Sequence, residues 1–158
     1  MNSFSHLDGN GRAIMVDVSE KSTSLRTAIA RAIVQLPEEV LEHFENNDIQ
    51  TKKGSVFQIA IIAGIMAAKN TGDLIPLCHP LGLENCKIEI HLNEQKEIVI
   101  DCKTSITAKT GVEMEALVGA SLAALTIYDM CKAFSHNIII KETKLIEKTG
   151  GKNDFKRA

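Results

Sequence analysis

The stretch between Lys109 and Lys132 constrains the fold more than any other part of the chain, because no charged residue interrupts it from Ala116 to Tyr128. Small and larger apolar residues recur on every side of a helical wheel, which predicts one buried helix from Ala116 to Lys132. A helix without a polar face packs on both sides, against a sheet and against another helix or subunit. We therefore expect this helix to form the centre of the core.

Charged residues stand only at the two ends of this helix. Glu113 and Glu115 lie near its start, two positions apart, so on a helix they point about 200° apart and only an extended segment would aim both at one ligand. Asp129 and Lys132 lie in the last turn, three positions apart, and are neighbours on one face. Spacing alone favours an ordinary surface ion pair over the alternative, an acid/base pair at the mouth of a site.

Strands and helices follow one another in the first half of the chain. The alternating residues of Ala13–Val18 predict a strand. Ser24 can cap a helix whose apolar positions follow helical spacing, namely Leu25, Ala28, Ile29, Ala32 and Ile33. Pro37 opens a short helix that we expect to end at Asn46-Asn47. A second apolar helix is predicted over Ser55–Lys69, where Asn70-Thr71-Gly72 stops it.

Two prolines within Leu74–Gly82 exclude a regular helix and predict a rigid apolar loop that carries Cys78 and His79. A histidine in such a loop is a metal ligand, a catalytic group or simply packed, and the last is commonest. Because Cys78 and His79 lack partners at zinc spacing, we predict no metal site. The remaining histidines are predicted to be surface residues without a role: His6, His43, His91 and His136.

Alternating residues from Cys86 to Leu92 and from Ile98 to Cys102 predict a hairpin, and Ile138 begins the last strand. Setting aside one helix as an insertion, the order is βαββαβ. This order predicts an α+β fold of the ferredoxin-like type, an antiparallel sheet with helices packed on one face. We expect one domain that spans residues 1–158.

Composition excludes several classes of protein. The net charge is −2, and there is no tryptophan and a single tyrosine, so neither a basic field nor base stacking favours a nucleic-acid partner. We recognise no signal peptide and no apolar run of membrane-spanning length, Val56–Ala68 being the nearest. The four cysteines form no CxxC pair, which predicts reduced thiols in a cytoplasmic protein.

Two short motifs are candidates for anion binding. Lys52-Lys53-Gly54 precedes a helix, and it either holds a phosphate or is a solvated basic turn. Thr149-Gly150-Gly151-Lys152 resembles part of a phosphate-binding loop, but it lacks the full motif and is a weak signal. The residues alone therefore predict a cytoplasmic α+β domain that binds an anion.

Several longer motifs resemble one known family in series and in order. They cover nearly the whole chain: MVDVS (15–19), AGIMAAK (63–69), LIPLCHP (74–80), KTGVEMEAL (109–117), AALTIYDMCKA (123–133) and KTGGK (148–152). Together they resemble the MoaC family of molybdenum-cofactor biosynthesis, the cyclic pyranopterin monophosphate synthases. The segment after Lys152 is one residue shorter than the family's usual glycine-containing tail, which leaves the placement of Lys152 open.

The resemblance implies a specific reaction. Members convert 3′,8-cyclo-7,8-dihydroguanosine triphosphate into cyclic pyranopterin monophosphate, and pyrophosphate leaves as the cyclic phosphate closes. The implied fold is ferredoxin-like, and the implied assembly is a hexamer of dimers with sites at the dimer interfaces. No cofactor is implied, although magnesium can accompany the triphosphate. By motif match the catalytic residues are Asp129, Lys132 and Lys53, and the substrate-binding residues are Leu77, Cys78, His79, Glu113, Met114, Glu115, Lys69 and Lys148.

These residue types suit the implied chemistry. Ring rearrangement needs repeated proton transfers. Asp129 could take protons, and Lys132, its pKa lowered by burial, could return them. Lys53 could neutralise the triphosphate and stabilise the leaving pyrophosphate. Glu113 and Glu115 could hydrogen-bond the amino and amide groups of the guanine-derived ring.

The motif match also predicts that two chains share each site. Along a continuous helix Glu115 and Asp129 are separated by about 21 Å, too far for a ligand of pterin size to bridge. Two antiparallel copies of the helix would bring the ends together, and Gly119, Ala120 and Ala123 would permit their close approach. The alternatives are a break near Met114 or a loop from a second chain.

The sequence alone leaves two rival classes of function open. One is a binding module that senses a nucleotide or pterin without turnover, and the other is a structural subunit of an assembly. Neither explains why charged groups cluster within apolar segments, where an unpaired charge is costly. Release of pyrophosphate from the cyclised nucleotide distinguishes an enzyme from both.

Overall fold

The computed structural model describes residues 6–158. The elements in chain order are β1 (Ser24–Gln35), α1 (Glu38–Leu41), β2 (Phe44–Glu45), β3 (Asp48–Thr51), β4 (Gly54–Ser55), α2 (Val56–Lys69), α3 (Thr71–Leu74), β5 (Asn85–Leu92), β6 (Glu97–Ala108), α4 (Glu113–Cys131), β7 (Ile139–Thr149) and β8 (Phe155–Lys156). The main sheet is antiparallel with the order β5-β6-β1-β7-β8, and β2, β3 and β4 form a small separate sheet.

The core lies between one face of the main sheet and the helices α2 and α4. In β1 every second side chain is fully buried, Ala28, Ala30, Ala32 and Val34, because those residues face α4. Arg31, on the opposite face of β1, forms a two-pronged ion pair with Asp101 of β6 at 2.7 and 2.8 Å. One face of the sheet is therefore apolar and covered by helices, and the other carries charge.

Small residues let α2 and α4 approach closely. A Cβ atom at Gly64 would lie 2.7 Å from the carbonyl oxygen of Gly119, and one at Gly119 would lie 2.6 Å from Sγ of Cys102. Ala120 and Ala123 are also fully buried within the chain. The prediction that the small residues of α4 admit a second copy of the helix is therefore wrong, because they pack against α2 and the sheet.

The predicted fold class is confirmed. The four long strands β1, β5, β6 and β7 and the helices α2 and α4 follow one another as βαββαβ, and the spatial order of the strands, β5-β6-β1-β7, fits a ferredoxin-like arrangement. Both long helices pack on one face. The remaining helices and strands are short additions to this frame.

The position of the first strand is corrected. Residues 24–35, predicted to be helical from Ser24, form β1, which pairs along its length with β6 and with β7. The apolar spacing fits a helix, but the same residues also alternate, and strand pairing on both sides decides between the two. Ala13–Val18 is not a strand, since within it Ala13 alone forms an isolated bridge, to Leu7.

Most other elements agree with their predicted ranges. Ser55 caps α2, accepting the N–H of Gln58 at 3.1 Å, and the predicted hairpin is β5 and β6. The long helix begins at Glu113, three residues earlier than predicted, and ends at Cys131. The short helix after Pro37 ends at Leu41 rather than at Asn46-Asn47, which instead form the turn between β2 and β3 with positive φ angles of 52° and 61°.

By length and composition α4 could cross a membrane, so the sequence prediction that Val56–Ala68 comes nearest to a membrane span is corrected. More than half of α4 is buried in the fold. It contacts α2 and the three strands β1, β6 and β7. Its apolar surface is therefore used in the core of this domain.

Candidate functional site

The start of α4 and the loop before β5 enclose the first pocket, which has a volume of about 270 Å³. We call it the carboxylate pocket. Its lining combines the predicted binding residues of both segments with residues of the N-terminal stretch, and includes Val16, Val18, Leu77, Cys78, His79, Glu113, Met114 and Glu115. The structure thus brings together six of the eight predicted substrate-binding residues.

The two glutamates line the carboxylate pocket together, although both belong to the first turn of α4. They share the pocket from a helical turn rather than from an extended segment, and their contact with one ligand stays a prediction. Glu113 opens to solvent and pairs with Lys148 at 3.4 Å. Glu115 is 3% exposed, and burial together with the charge of Glu113 raises its pKa to about 6.

The loop after α3 is fixed by a contact with the N-terminal stretch. Nε2 of His79 lies 2.7 Å from the carbonyl oxygen of Val16. Because a carbonyl only accepts, this ring nitrogen donates, which leaves Nδ1 of a neutral imidazole as an acceptor. Burial, and then the charges of Glu115 and Glu113, raise the pKa of the Cys78 thiol, so the thiol keeps its proton.

A second pocket of about 240 Å³, which we call the basic pocket, adjoins the first. The two share Lys21, Thr110, Gly111 and Glu113 in their linings. Cationic side chains surround the basic pocket, namely Lys21, Arg26, Lys109, Lys148 and Lys152. A carboxylate-lined cavity thus lies directly beside a cationic one.

A glycine turn lies beside the basic pocket, which Thr149 and Gly151 help to line. Gly150 has a φ angle of +82°, and a Cβ atom there would lie 1.8 Å from the carbonyl oxygen of Leu25, so this position requires glycine. Arg26 donates to the carbonyl oxygens of Ala108 and Lys109 at 3.3 and 3.4 Å. These bonds hold the guanidinium against the end of β6, just before the loop that leads into α4. The KTGGK motif, with Lys152, therefore belongs to the basic pocket.

The three predicted catalytic residues lie together at the opposite end of α4. Lys53, Asp129 and Lys132 line a cavity of about 660 Å³, which we call the lysine pocket. Nζ of Lys132 lies 2.7 Å from Oδ1 of Asp129, and both side chains are about half exposed. Lys53 comes from the turn between β3 and β4, which the structure brings beside the end of α4.

Charges at the lysine pocket stabilise one another. The hydrogen bond and charge of Lys132, together with the charge of Lys53, lower the pKa of Asp129. The same hydrogen bond raises the pKa of Lys132. The prediction that burial lowers the pKa of Lys132 is therefore wrong for the single chain, where solvent reaches the ammonium and the aspartate favours its charged form.

The structure does not bring all the predicted residues into one site. Lys69, at the end of α2, lines a separate pocket of about 210 Å³ with Asp73 and Pro80. Glu115 and Asp129 are separated along the continuous helix α4 by about 21 Å. Within one chain the carboxylate and lysine pockets are therefore distinct.

Several pocket residues carried no recognised signal in the sequence. Arg26 stood in a stretch predicted to be helical, Lys21 belonged to no motif, and Lys109 opened a family motif but was given no role. His6 lines the carboxylate pocket and His136 the lysine pocket, although both were assigned no role. The sequence offers no local signal for Lys21 and Arg26, because the fold alone brings them beside the Gly150-Gly151 turn.

This arrangement defines the class of protein, an α+β domain with a carboxylate-lined cavity directly beside a cationic one. Comparison with known proteins identifies its family. The model of the MoaC family matches residues 15–151. The chain therefore belongs to the MoaC family.

Curated relatives agree with this assignment. The chain is 50% identical to the cyclic pyranopterin monophosphate synthase of Bacillus subtilis, over 99% of this chain and 94% of the relative. It is 55% identical to a molybdenum cofactor biosynthesis bifunctional protein of Synechocystis, and 49% identical to molybdenum cofactor biosynthesis protein 1 of Dictyostelium discoideum, each over 96% of this chain. The chain spans 45% and 27% of the lengths of these last two proteins.

The buried Glu115 carboxylate makes a prediction about stability. Because its pKa is raised from 4.5 to about 6, the folded chain holds a proton that the unfolded chain has released between these values, and stability falls as pH rises through this window. Glu115→Gln should raise the free energy of unfolding by up to about 2 kcal/mol at pH 7 and by little at pH 4. Urea unfolding at the two pH values measures the difference.

Glu113→Gln is the matched control, since it removes a partly exposed carboxylate from the same turn and also its pairing with Lys148. We expect no gain in stability from it at pH 7. If the free energy of unfolding depended on pH equally in Glu115→Gln and in the wild-type chain, Glu115 would not be a buried carboxylate that keeps its proton.

Proposed function

We propose that this chain converts 3′,8-cyclo-7,8-dihydroguanosine triphosphate into cyclic pyranopterin monophosphate and pyrophosphate, a step of molybdenum-cofactor biosynthesis. The observation that carries the proposal is the carboxylate pocket lying beside the basic pocket. The proposed substrate has the matching halves, a guanine-derived ring rich in N–H donors and a triphosphate. The relatives named as synthases support the assignment.

The ring would bind in the carboxylate pocket. Carboxylate oxygens accept hydrogen bonds, so Glu113 and Glu115 suit the amino and amide N–H groups of the ring. The rigid loop supplies an apolar wall through Leu77 and an acceptor or donor through Nδ1 of His79. Cys78 keeps its thiol proton and would act as a weak donor rather than as a nucleophile.

The triphosphate would bind in the basic pocket. Arg26 presents a planar set of donors that suits phosphate oxygens, and the lysines around it supply point charges. Lys148 bridges the two halves, because its ammonium pairs with Glu113 and lines the basic pocket. The residues Lys21, Lys109 and Lys152 would complete the neutralisation of the phosphates.

Proton transfer and departure of pyrophosphate are assigned to the lysine pocket. Asp129, whose pKa is held low, is charged at neutral pH and would accept protons from the rearranging rings. Lys132, charged beside it, would return them. Lys53 would stabilise the negative charge that grows as pyrophosphate leaves.

Because about 21 Å of helix separates these groups from the carboxylate pocket, we propose that a second copy of the chain completes each site. Helix α4 is continuous from Glu113 to Cys131, which argues against the alternative of a break near Met114. Large apolar side chains are exposed on α2 and α4 away from the core, namely Ile62, Met66 and Leu125, each more than 50%. Such exposed groups suit burial against another copy, in a dimer and then in the hexamer of dimers that we propose.

The cytoplasm is the compartment that we propose for the reaction. All four cysteines, Cys78, Cys86, Cys102 and Cys131, are free. Free thiols are the normal state in a reducing compartment.

The pair at the end of α4 gives the first functional prediction. Asp129→Asn and Lys132→Ala should fold normally and lose most release of pyrophosphate from the cyclised nucleotide, because each removes a proton-transfer group. If the pair were only a surface ion pair, it would contribute about 0–1 kcal/mol to stability and leave turnover intact. Near-normal turnover in both variants would exclude the catalytic assignment.

We also propose that no transition metal takes part. Within residues 6–158, no three His, Cys, Asp or Glu side chains cluster in a way that could hold a metal ion. Enzyme treated with a strong chelator and assayed with magnesium restored should keep full activity, since magnesium accompanies the triphosphate rather than the protein. Recovery that requires added zinc would contradict this proposal.

The shared site is tested by complementation. Glu115→Ala and Asp129→Asn are each expected to be inactive, and are mixed under conditions that exchange subunits. In a mixed dimer one of the two sites has both residues intact, so about a quarter of wild-type activity should return at equal amounts. Mixing two preparations of the same variant is the control.

Mass spectrometry must confirm that mixed dimers form. If they form and activity does not return, both residues act within one chain and the shared site is wrong.

A further inference from the structure

Asp48, the first residue of β3, makes more contacts than its place on a short strand requires. Its Oδ1 accepts the backbone N–H of Phe57 at 2.9 Å and that of Ile49 at 2.6 Å. Its Oδ2 accepts the hydroxyl of Ser55. One carboxylate therefore joins β3 to the first turn of α2, nine residues further along the chain.

These contacts satisfy the start of α2. Ser55 connects Asp48 to the helix, because its hydroxyl donates to Asp48 and its hydroxyl oxygen accepts the N–H of Gln58 at 3.1 Å. The first turn of α2 contains no acidic residue of its own. Asp48 therefore supplies the negative charge that the N-terminus of a helix favours, and fixes the turn between β3 and β4 relative to α2.

The turn that Asp48 anchors is the one that carries Lys53. Its internal shape is set locally, since Thr51 Oγ1 donates to the carbonyl oxygen of Gly54 and accepts the N–H of Lys53, both at 3.1 Å. The strand pairs Gln50 with Ser55 and Thr51 with Gly54. Local bonds shape the turn, but its placement against α2 depends on Asp48.

The charge of Asp48 also reaches the end of α4. Burial, and then this charge, raise the pKa of Cys131 to about 11. At the same end, the charge of Lys53 helps to lower the pKa of Asp129. The anchored turn and the proton-transfer pair are therefore close enough to interact electrostatically.

We propose that Asp48 is a positioning residue for Lys53. It anchors the β3–β4 turn to α2 and so holds the Lys53 ammonium at the lysine pocket with Asp129 and Lys132. The proposal rests on the proposed catalytic function of Lys53. Asp48 itself does not line the pocket and acts through the turn.

The first measurement compares kcat and KM among variants of the full chain. Asp48→Ala should lower kcat on the order of 10²-fold with a smaller change in KM, because misplacing a catalytic group by about 1 Å has such an effect. Asp48→Asn should restore kcat to near the wild-type value, since an amide of the same shape can accept from Phe57 and donate to Ser55. If Asp48→Asn is as slow as Asp48→Ala, placement is not its role.

Asn93→Ala is the matched structural control. Asn93 Oδ1 accepts the N–H of Glu97 at 2.8 Å and caps the turn between β5 and β6, away from the lysine pocket. This variant should lose stability, which thermal unfolding measures, and it should keep its kcat. All kinetic assays are run well below the lowest thermal unfolding midpoint among these variants. If Asp48→Ala fails to fold, Ser55→Ala, which breaks one link of the same anchor, replaces it.

A double-mutant cycle separates this proposal from the proposed function. If Asp48 acts through Lys53, Asp48→Ala should change kcat by less than about a factor of two in a Lys53→Ala background. Full multiplication of the two losses would overturn the positioning role and leave the function of Lys53 intact. Full turnover by Lys53→Ala alone would instead overturn the catalytic assignment of Lys53, and with it this proposal.

Discussion

The close packing of α4 against α2 and the sheet is the constraint on which the rest of the structure depends. Gly64 and Gly119 let the two helices touch at the backbone, and α4 is one continuous, largely buried helix from Glu113 to Cys131. A side chain at either glycine would collide with backbone or core atoms. The rigid helix then fixes how far apart its two charged ends lie.

That rigidity explains why the chemistry divides into two parts. The carboxylate and basic pockets are built around the start of α4 from the loop at 75–84, the N-terminal stretch and the turn at Gly150. The lysine pocket is built around its end from a short hairpin, the β3–β4 turn. Because the helix is continuous, a substrate that needs both ends would have to meet them from two chains, which is the reason for the shared site that we propose.

Local patterns predicted those parts of the fold that local interactions decide. Ser55–Lys69 is a helix because its cap and apolar face are both local, and the hairpin from Cys86 to Cys102 has clean alternation. In residues 24–35 the apolar residues fit both the helical period of 3.6 residues and the strand period of two. The choice there depends on pairing with β6 and β7, whose partners lie about 60 to 120 positions away.

The difference between local and long-range interactions also separates the site residues that were predicted from those that were missed. Glu113, His79 and Asp129 were found because the family motifs contain them. Arg26 was missed because its role depends on β1 being a strand beside the start of α4. Lys132 was found but its pKa was predicted in the wrong direction, since a motif says nothing about how much solvent reaches a side chain.

Exposure of the lysine pocket reconciles the two interpretations of Asp129 and Lys132. In one chain both are half exposed, and a pair in that setting behaves as an ordinary surface ion pair. Covering the pair with a second chain and a substrate would remove water, strengthen every charge interaction there, and make proton transfer between fixed groups effective. Assembly would therefore turn a surface ion pair into a catalytic one, while the buried Glu115 is already desolvated within the single chain.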